Sequence, residues 1–106
     1  MLKFKNAEEQ GAWTMAEALN AKGFEAMRHA EVAADIYRDG KMRTRRECLA
    51  RGTSRADADI RWSATSRAKK ALSDNSWYMA QAMMYHEAAA AQYARARYLG
   101  RDSASA

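Results

Sequence analysis

The chain of 106 residues contains no proline, one cysteine, one valine and two isoleucines. The absence of proline removes the residue that most often breaks a helix, and the scarcity of β-branched apolar residues leaves little material for a sheet. A single cysteine, Cys48, excludes an intrachain disulfide and favours a reducing compartment. Against these absences stand 25 alanines, and alanine is the strongest helix former. The composition therefore predicts an all-α protein.

The sequence also lacks an apolar run that suits a membrane span. Its most apolar segment, residues 77–94, holds four polar side chains: Gln81, His86, Glu87 and Gln92. A membrane-spanning helix tolerates such residues poorly. The basic residues at positions 3 and 5 are not followed by the apolar region of a signal peptide. We therefore expect a soluble, cytoplasmic protein with no membrane partner.

A stripe of small side chains runs along the first predicted helix in alternating steps of four and three residues. Its members are Ala12, Ala16, Leu19, Gly23, Ala26, Ala30, Ala33 and Tyr37. This spacing places them on one helix face, where their small size predicts a close approach by a second helix. Because the stripe runs through Gly23 in register, we interpret this glycine as a packing residue.

Capping patterns set the expected start and end of the first two helices. Asn6 with Glu9 predicts an N-terminal capping box, and Gly40 is expected to end the first helix after Asp39. A second capping pattern, Thr44 with Glu47, predicts a short helix over residues 45–51 that Gly52 closes.

The remaining boundaries follow in the same way. Ser54 with Asp57 predicts a helix that extends to about Leu72. Ser73 is then expected to cap a last helix, which begins at Asp74 and ends at Gly100. The predicted architecture is a small helical bundle, formed by a single domain over residues 1–100 with a flexible tail over residues 101–106. Its middle segment has the outline of a helix-turn-helix.

The last helix carries a bulkier stripe with the same spacing. Its members are Tyr78, Ala82, Tyr85, Ala89, Gln92, Ala96 and Leu99. Large side chains against small ones predict that the first and last helices pack antiparallel. The last helix is apolar beyond this stripe, so we expect helix 2 or a second chain to cover it. Three methionines on these faces are candidates for self-association: Met79, Met83 and Met84.

Charge is concentrated in the middle of the chain. Residues 41–72 hold ten basic and three acidic side chains, whereas residues 6–40 hold three basic and seven acidic ones. This basic segment is either a solvated helix face or a site for a polyanion or an acidic partner. The candidate binding residues are Arg43, Arg45, Arg46, Arg51, Arg55, Trp62, Lys69 and Lys70.

Whether Trp62 is exposed or buried determines whether it can contact a nucleic acid. If the Ile60 face of helix 2 enters the core, Trp62 lies exposed among cations and can stack on a base. The alternative is that Trp62 is buried against Trp77 or the loop at residues 40–44. The helix-turn-helix outline of residues 47–59 is incomplete, because Thr53 and Arg61 occupy places where that motif has apolar residues.

Chemical motifs are scarce. Glu25 and His29 are one helical turn apart, but neither His29 nor His86 belongs to a set of the three or four ligands that a metal site needs. No arrangement of His or Asp beside Cys48 suggests a nucleophile. There is no glycine-rich phosphate loop. We therefore expect a protein that is not an enzyme and holds neither metal nor cofactor.

Two segments share a pattern, Trp-x-Met-Ala followed by Glu or Gln and then Ala, beginning at Trp13 and Trp77. In these segments the chain resembles uncharacterised small, Ala-rich helical proteins of actinobacteria and their phages. The resemblance implies an accessory protein of a phage or mobile element. Taken with the apolar last helix, the sequence predicts a helical module that binds a protein partner, which is either a different protein or a second copy of the same chain. The alternative is a nucleic-acid-binding protein that uses residues 41–72.

Overall fold

The computed structural model describes the backbone of residues 4–105 and the side chains of residues 4–101. It contains three α-helices: α1 (Ala7–Ala50), α2 (Arg55–Ser63) and α3 (Ser66–Ser105). No strand occurs among the described residues, so the all-α prediction is confirmed. The chain divides into two compact units: unit 1 comprises Met1–Ala26 and Ala80–Ala106, and unit 2 comprises Met27–Met79.

Unit 1 is an antiparallel pair formed by the first half of α1 and the second half of α3. Trp13 packs edge-to-face on Tyr93, with ring centroids 4.9 Å apart, and the Tyr93 hydroxyl donates a 2.9 Å hydrogen bond to Glu17. Between the helices lie the small residues of both stripes: Ala12, Ala16, Gly23, Ala26, Ala82, Ala89 and Ala96. The predicted antiparallel packing is thus confirmed.

Unit 2 adds α2 to the other halves of the long helices. Asn75 donates a 2.9 Å hydrogen bond to the carbonyl of Ala30, and His29 stacks on Tyr78 with ring centroids 4.9 Å apart. Trp62 of α2 is only 5 % exposed and packs edge-to-face on Tyr37. The long helices are therefore antiparallel here as well, and α2 covers α1 through an aromatic contact.

The first helix is longer than the sequence predicted, because α1 continues through Gly40 and Thr44 to Ala50. Gly40 is buried, and a Cβ atom built on it would overlap the ring of Trp62. It is therefore a packing glycine, and the prediction that it stops the helix is wrong. Thr44 lies inside α1 and does not cap a separate helix. The true stop is Gly52, whose φ of 81° is left-handed.

The capping predictions at Asn6 and Ser54 are confirmed. The amide of Glu9 donates to Asn6 Oδ1 at 2.7 Å, and the amide of Asp57 donates to Ser54 Oγ at 3.2 Å. The helix that Ser54 opens ends at Ser63 and not near Leu72. After a short break, the Thr65 hydroxyl accepts from the Ala68 amide at 3.1 Å, and α3 begins.

The last helix consequently begins earlier and ends later than predicted. Ser73 lies exposed inside α3 and does not cap it, and α3 continues past Gly100 to Ser105. Gly100 is buried, and a Cβ there would lie 2.9 Å from a carboxylate oxygen of Glu9. Like Gly40, it is a glycine of the packed face, and so its presence does not mark a helix end.

Candidate interaction surfaces

The first candidate surface is the side of α3 that points away from α1 in unit 1. Here Ala80, Met84, Glu87, Ala91, Ala94 and Tyr98 follow one another in alternating steps of four and three residues. We call this set the outer stripe. It lies opposite the buried stripe of the same helix, and all its members are exposed. In unit 1, α3 therefore has two regular faces of which only one is covered.

The outer stripe exposes large apolar side chains. Met84 is 62 % and Tyr98 63 % exposed, and the adjacent Met83 is 60 % exposed. The sequence predicts that helix 2 or a second chain covers this side of the last helix, and within unit 1 no described residue covers it. The third methionine candidate, Met79, belongs to unit 2 and is 43 % exposed.

The exposure has its origin in the composition of the core. Every buried apolar side chain among the described residues is alanine except Cys48 and Trp62, and no large side chain is fully buried. Because an alanine seam brings two backbones close together, longer side chains find no space in it and lie at its margins or outside. The chain thus packs by close approach and leaves many of its larger apolar side chains exposed.

The second candidate surface is the basic part of unit 2. This unit contains twelve basic and seven acidic residues, so it carries the entire net charge of +5, whereas the charges of unit 1 cancel. Of the proposed binding residues, Arg43, Arg46, Arg51, Arg55 and Lys69 are exposed. They provide the positive potential that attracts a polyanion.

Two of the predicted binding cations already have acidic partners. Arg45 of α1 donates two hydrogen bonds to Asp59 of α2, at 2.7 and 2.8 Å, and Lys70 pairs with Asp74 at 2.9 Å. The bond from Arg45 lowers the pKa of Asp59, and the charges of Lys41 and Arg55 lower it further. Three cations therefore surround one carboxylate, which leaves an excess of positive charge between α1 and α2.

Trp62 is not part of this basic surface. It is buried, whereas Ile60 is 66 % exposed. The Trp62 face of α2 therefore enters the core, and the opposite face, which carries Ile60, is exposed to solvent. The prediction that Trp62 stacks on a base is wrong, and the alternative of a buried Trp62 is confirmed. Its contacts are with Tyr37 and Gly40 inside α1, where we had expected Trp77 or a loop.

A shallow groove of about 310 Å³ lies beside the basic residues in unit 2, and no sequence pattern indicated it. It is lined by the apolar residues Ala33, Ile36 and Ala71 and by the charged residues Arg67, Lys70 and Asp74. Two of these lining residues, Lys70 and Asp74, form an ion pair. The groove forms only when α1 and α3 are brought together, which explains why a local sequence pattern does not reveal it.

The sequence patterns also do not reveal a polar cluster beside Gly23. His86 Nδ1 lies 2.8 Å from Asn20 Oδ1, and its ring packs edge-to-face on Phe24 with centroids 4.9 Å apart. The ring covers Gly23 so closely that an added Cβ would lie 2.7 Å from it. His86 is therefore held in place by packing and a hydrogen bond, and Gly23 provides the space for it.

Within the described part of the chain, no three His, Cys, Asp or Glu side chains are grouped so that they could hold a metal ion. None of the described helices has the length and apolarity to cross a membrane. Comparison with family models, curated proteins and solved structures finds no match to this chain. The two surfaces are therefore the structural features that bear on function.

Proposed function

We propose that the protein is a non-enzymatic helical interaction module that self-associates through the outer stripe of α3. The observation that carries this proposal is the regular second face of α3, on which Met84 and Tyr98 are each more than 60 % exposed. An exposed apolar patch of this kind is typical of a protein–protein interface. A four-three spacing is the pattern with which one helix packs on another.

Self-association would be driven by the burial of apolar side chains, as folding is. Burial of a methionine side chain stabilises by about 1.5–3 kcal/mol relative to full exposure, and a symmetric dimer buries each residue twice. Among the described residues, the core of the single chain gains little from large side chains, because its buried apolar residues are alanine except for Cys48 and Trp62. Association supplies the burial that the fold of one copy leaves incomplete.

The proposal is tested by light scattering on two matched variants. Met84→Glu places a charge in the outer stripe and is expected to convert a dimer into a monomer at micromolar concentration. Met42→Glu makes the same change at a residue of α1 that is 50 % exposed, and it is expected to leave the mass unchanged. Equal behaviour of the two variants would contradict a role for the outer stripe.

The second candidate function is nucleic-acid binding by the basic surface of unit 2, which the net charge of that unit favours. Because Arg45 is paired and Trp62 is buried, the contacts would be electrostatic and made by the exposed cations. Arg46→Ala with Arg51→Ala should then reduce the salt slope of DNA binding by about two. The control, Lys5→Ala with Arg97→Ala, removes two exposed cations from unit 1 and should leave the slope unchanged.

A fluorescence titration with duplex and single-stranded DNA at two salt concentrations measures this slope. Absence of binding at low ionic strength would eliminate the second candidate.

We extend the first proposal to an accessory role in a phage or mobile element, supported by the resemblance of the segments that begin at Trp13 and Trp77. A cytoplasmic location belongs to the same proposal, and the single buried Cys48 supports it.

A further inference from the structure

We infer that the outer stripe binds the outer stripe of a second copy of this chain, with the two α3 helices antiparallel. The inference rests on the proposed function, and it adds the orientation and register of the interface. Two observations support it: the order of large and small residues in the stripe, and the positions of the charges on it and beside it.

The order of residues makes the stripe complementary to its own reverse. From one end to the other it consists of Ala80, Met84, Glu87, Ala91, Ala94 and Tyr98. When a second copy is reversed about the midpoint, every long side chain lies opposite an alanine. The facing pairs are Tyr98 with Ala80, Met84 with Ala94, and Glu87 with Ala91. Such pairing fills space without collision and lets the two backbones approach closely.

The charges favour the same arrangement. Glu87 is the only charged member of the stripe, and Arg95 is exposed beside it, one turn beyond Ala91. Neither forms an ion pair within the described part of the chain. In the antiparallel register, Glu87 of one copy and Arg95 of the other are about one helical turn, ~5.4 Å, apart along the axis. Because side chains lean toward the N-terminus of their own helix, these two lean toward each other.

A parallel pair in register lacks both advantages. Each residue would then meet its own copy, so Met84 and Tyr98 would crowd against identical side chains while the alanines would leave gaps. The two Glu87 carboxylates would face each other across the interface, and the repulsion between two like charges in contact is unfavourable. Glu87 would also lean away from Arg95 of the partner. The antiparallel arrangement is the one that the stripe supports.

Disulfide cross-linking distinguishes the two orientations. In a Cys48→Ala background, the variant Met84→Cys with Ala94→Cys places facing cysteines across the antiparallel interface. Within one chain these positions are ten residues apart, about 15 Å, which is too far for an intrachain bond. The control variant carries Met84→Cys alone, and its two copies in the antiparallel dimer are also about 15 Å apart along the axis. Met84 and Ala94 are both exposed, so cysteines at these positions leave the core intact, and the change at the buried Cys48 is common to both variants.

The expected result on a non-reducing gel after mild oxidation is a covalent dimer of the double variant and a monomer of the single one. Efficient cross-linking of Met84→Cys alone would show a parallel pair and overturn the inference. A dimeric mass by light scattering without cross-linking of either variant would also overturn it, and self-association would then use another register or surface. A monomeric mass for the uncross-linked protein would overturn the proposed function itself.

Discussion

At the scale of single residues, the glycines within the helices define how closely the helices pack. Gly23 lies under the ring of His86, and Gly40 lies under the ring of Trp62. Glycine in a helix interior costs about 1 kcal/mol relative to alanine, so the two positions must gain more from close packing than they lose in propensity. Gly11 offers a comparison, because an added Cβ meets no atom within 4 Å there.

We predict that Gly40→Ala destabilises the protein by about 1–3 kcal/mol, since overpacking against the buried ring of Trp62 outweighs the gain in helix propensity. Gly11→Ala should instead stabilise it by about 0.5–1 kcal/mol. Urea unfolding followed by circular dichroism measures both changes. If Gly40→Ala were as stabilising as Gly11→Ala, the close packing of Trp62 on α1 would be refuted.

Gly23→Leu tests the same principle in unit 1. The larger side chain must displace His86 from its hydrogen bond with Asn20 and push α1 and α3 apart. We expect a loss of at least about 1–3 kcal/mol, visible as a lower melting temperature. A melting curve identical to that of the wild type would contradict the account of a close-packed stripe.

At the scale of helices, periodicity predicted the structure better than individual capping residues did. The four-three stripe placed Gly23 correctly inside α1. The same spacing continues from Tyr37 to Gly40 and Thr44, and these residues are also inside the helix. A glycine that stays in register with a buried stripe is therefore a packing residue, even when a capping pattern follows it.

At the break between α2 and α3, the spacing of the buried residues changes. Ala58 and Trp62 are buried in α2, and Ala68 and Ala71 are buried in α3. Steps of three and four from Trp62 lead to residues 65, 69 and 72, so the pattern slips by one residue. This slip marks the turn, which the capping pattern at Ser73 misplaced. The identity of the buried face of α2 could not be predicted, because Ile60 and Trp62 are both apolar and only contact with α1 decides between them.

One ion pair connects two helices in unit 2. The bond to Arg45 lowers the pKa of Asp59 below its ordinary value of 3.8. A carboxylate whose pKa is lowered on folding stabilises the protein above its unfolded pKa, and this stabilisation is lost as the pH falls through the folded pKa. We therefore expect acid to weaken the attachment of α2 to α1.

We predict that Asp59→Asn lowers the melting temperature at neutral pH and flattens its dependence on pH below about 4. Asp57→Asn is the control, because it removes a carboxylate from the same helix without touching the Arg45 pair. Thermal melts between neutral and acidic pH provide the measurement. An equally steep loss of stability in acid for wild type and Asp59→Asn would show that this pair does not contribute.

At the scale of the whole molecule, the chain combines an alanine core with an unusually apolar exterior on α3. The sequence predicted the antiparallel packing and the surplus apolar surface, since both follow from periodicity. The self-complementary order of the outer stripe became visible only when the structure showed which face of α3 was already covered. The cations of unit 2 were identified by type, but the pairing of Arg45 and the burial of Trp62 depend on contacts between helices.

A charge exchange tests the interface between copies. Glu87→Arg should weaken the dimer about three- to tenfold, because two surface ion pairs become repulsive contacts. Glu87→Arg combined with Arg95→Glu should restore the affinity of the wild type. Concentration-dependent light scattering gives the dissociation constants, and a double variant no tighter than the single one would contradict pairing of these two residues.

Sedimentation equilibrium of the wild-type protein from low to high micromolar concentration tests self-association most directly. The chain has a mass of 11.9 kDa, and the account predicts that the fitted mass rises with concentration toward twice this value. A mass that stays at 11.9 kDa throughout the high micromolar range would contradict it, because the outer stripe would then remain exposed to water.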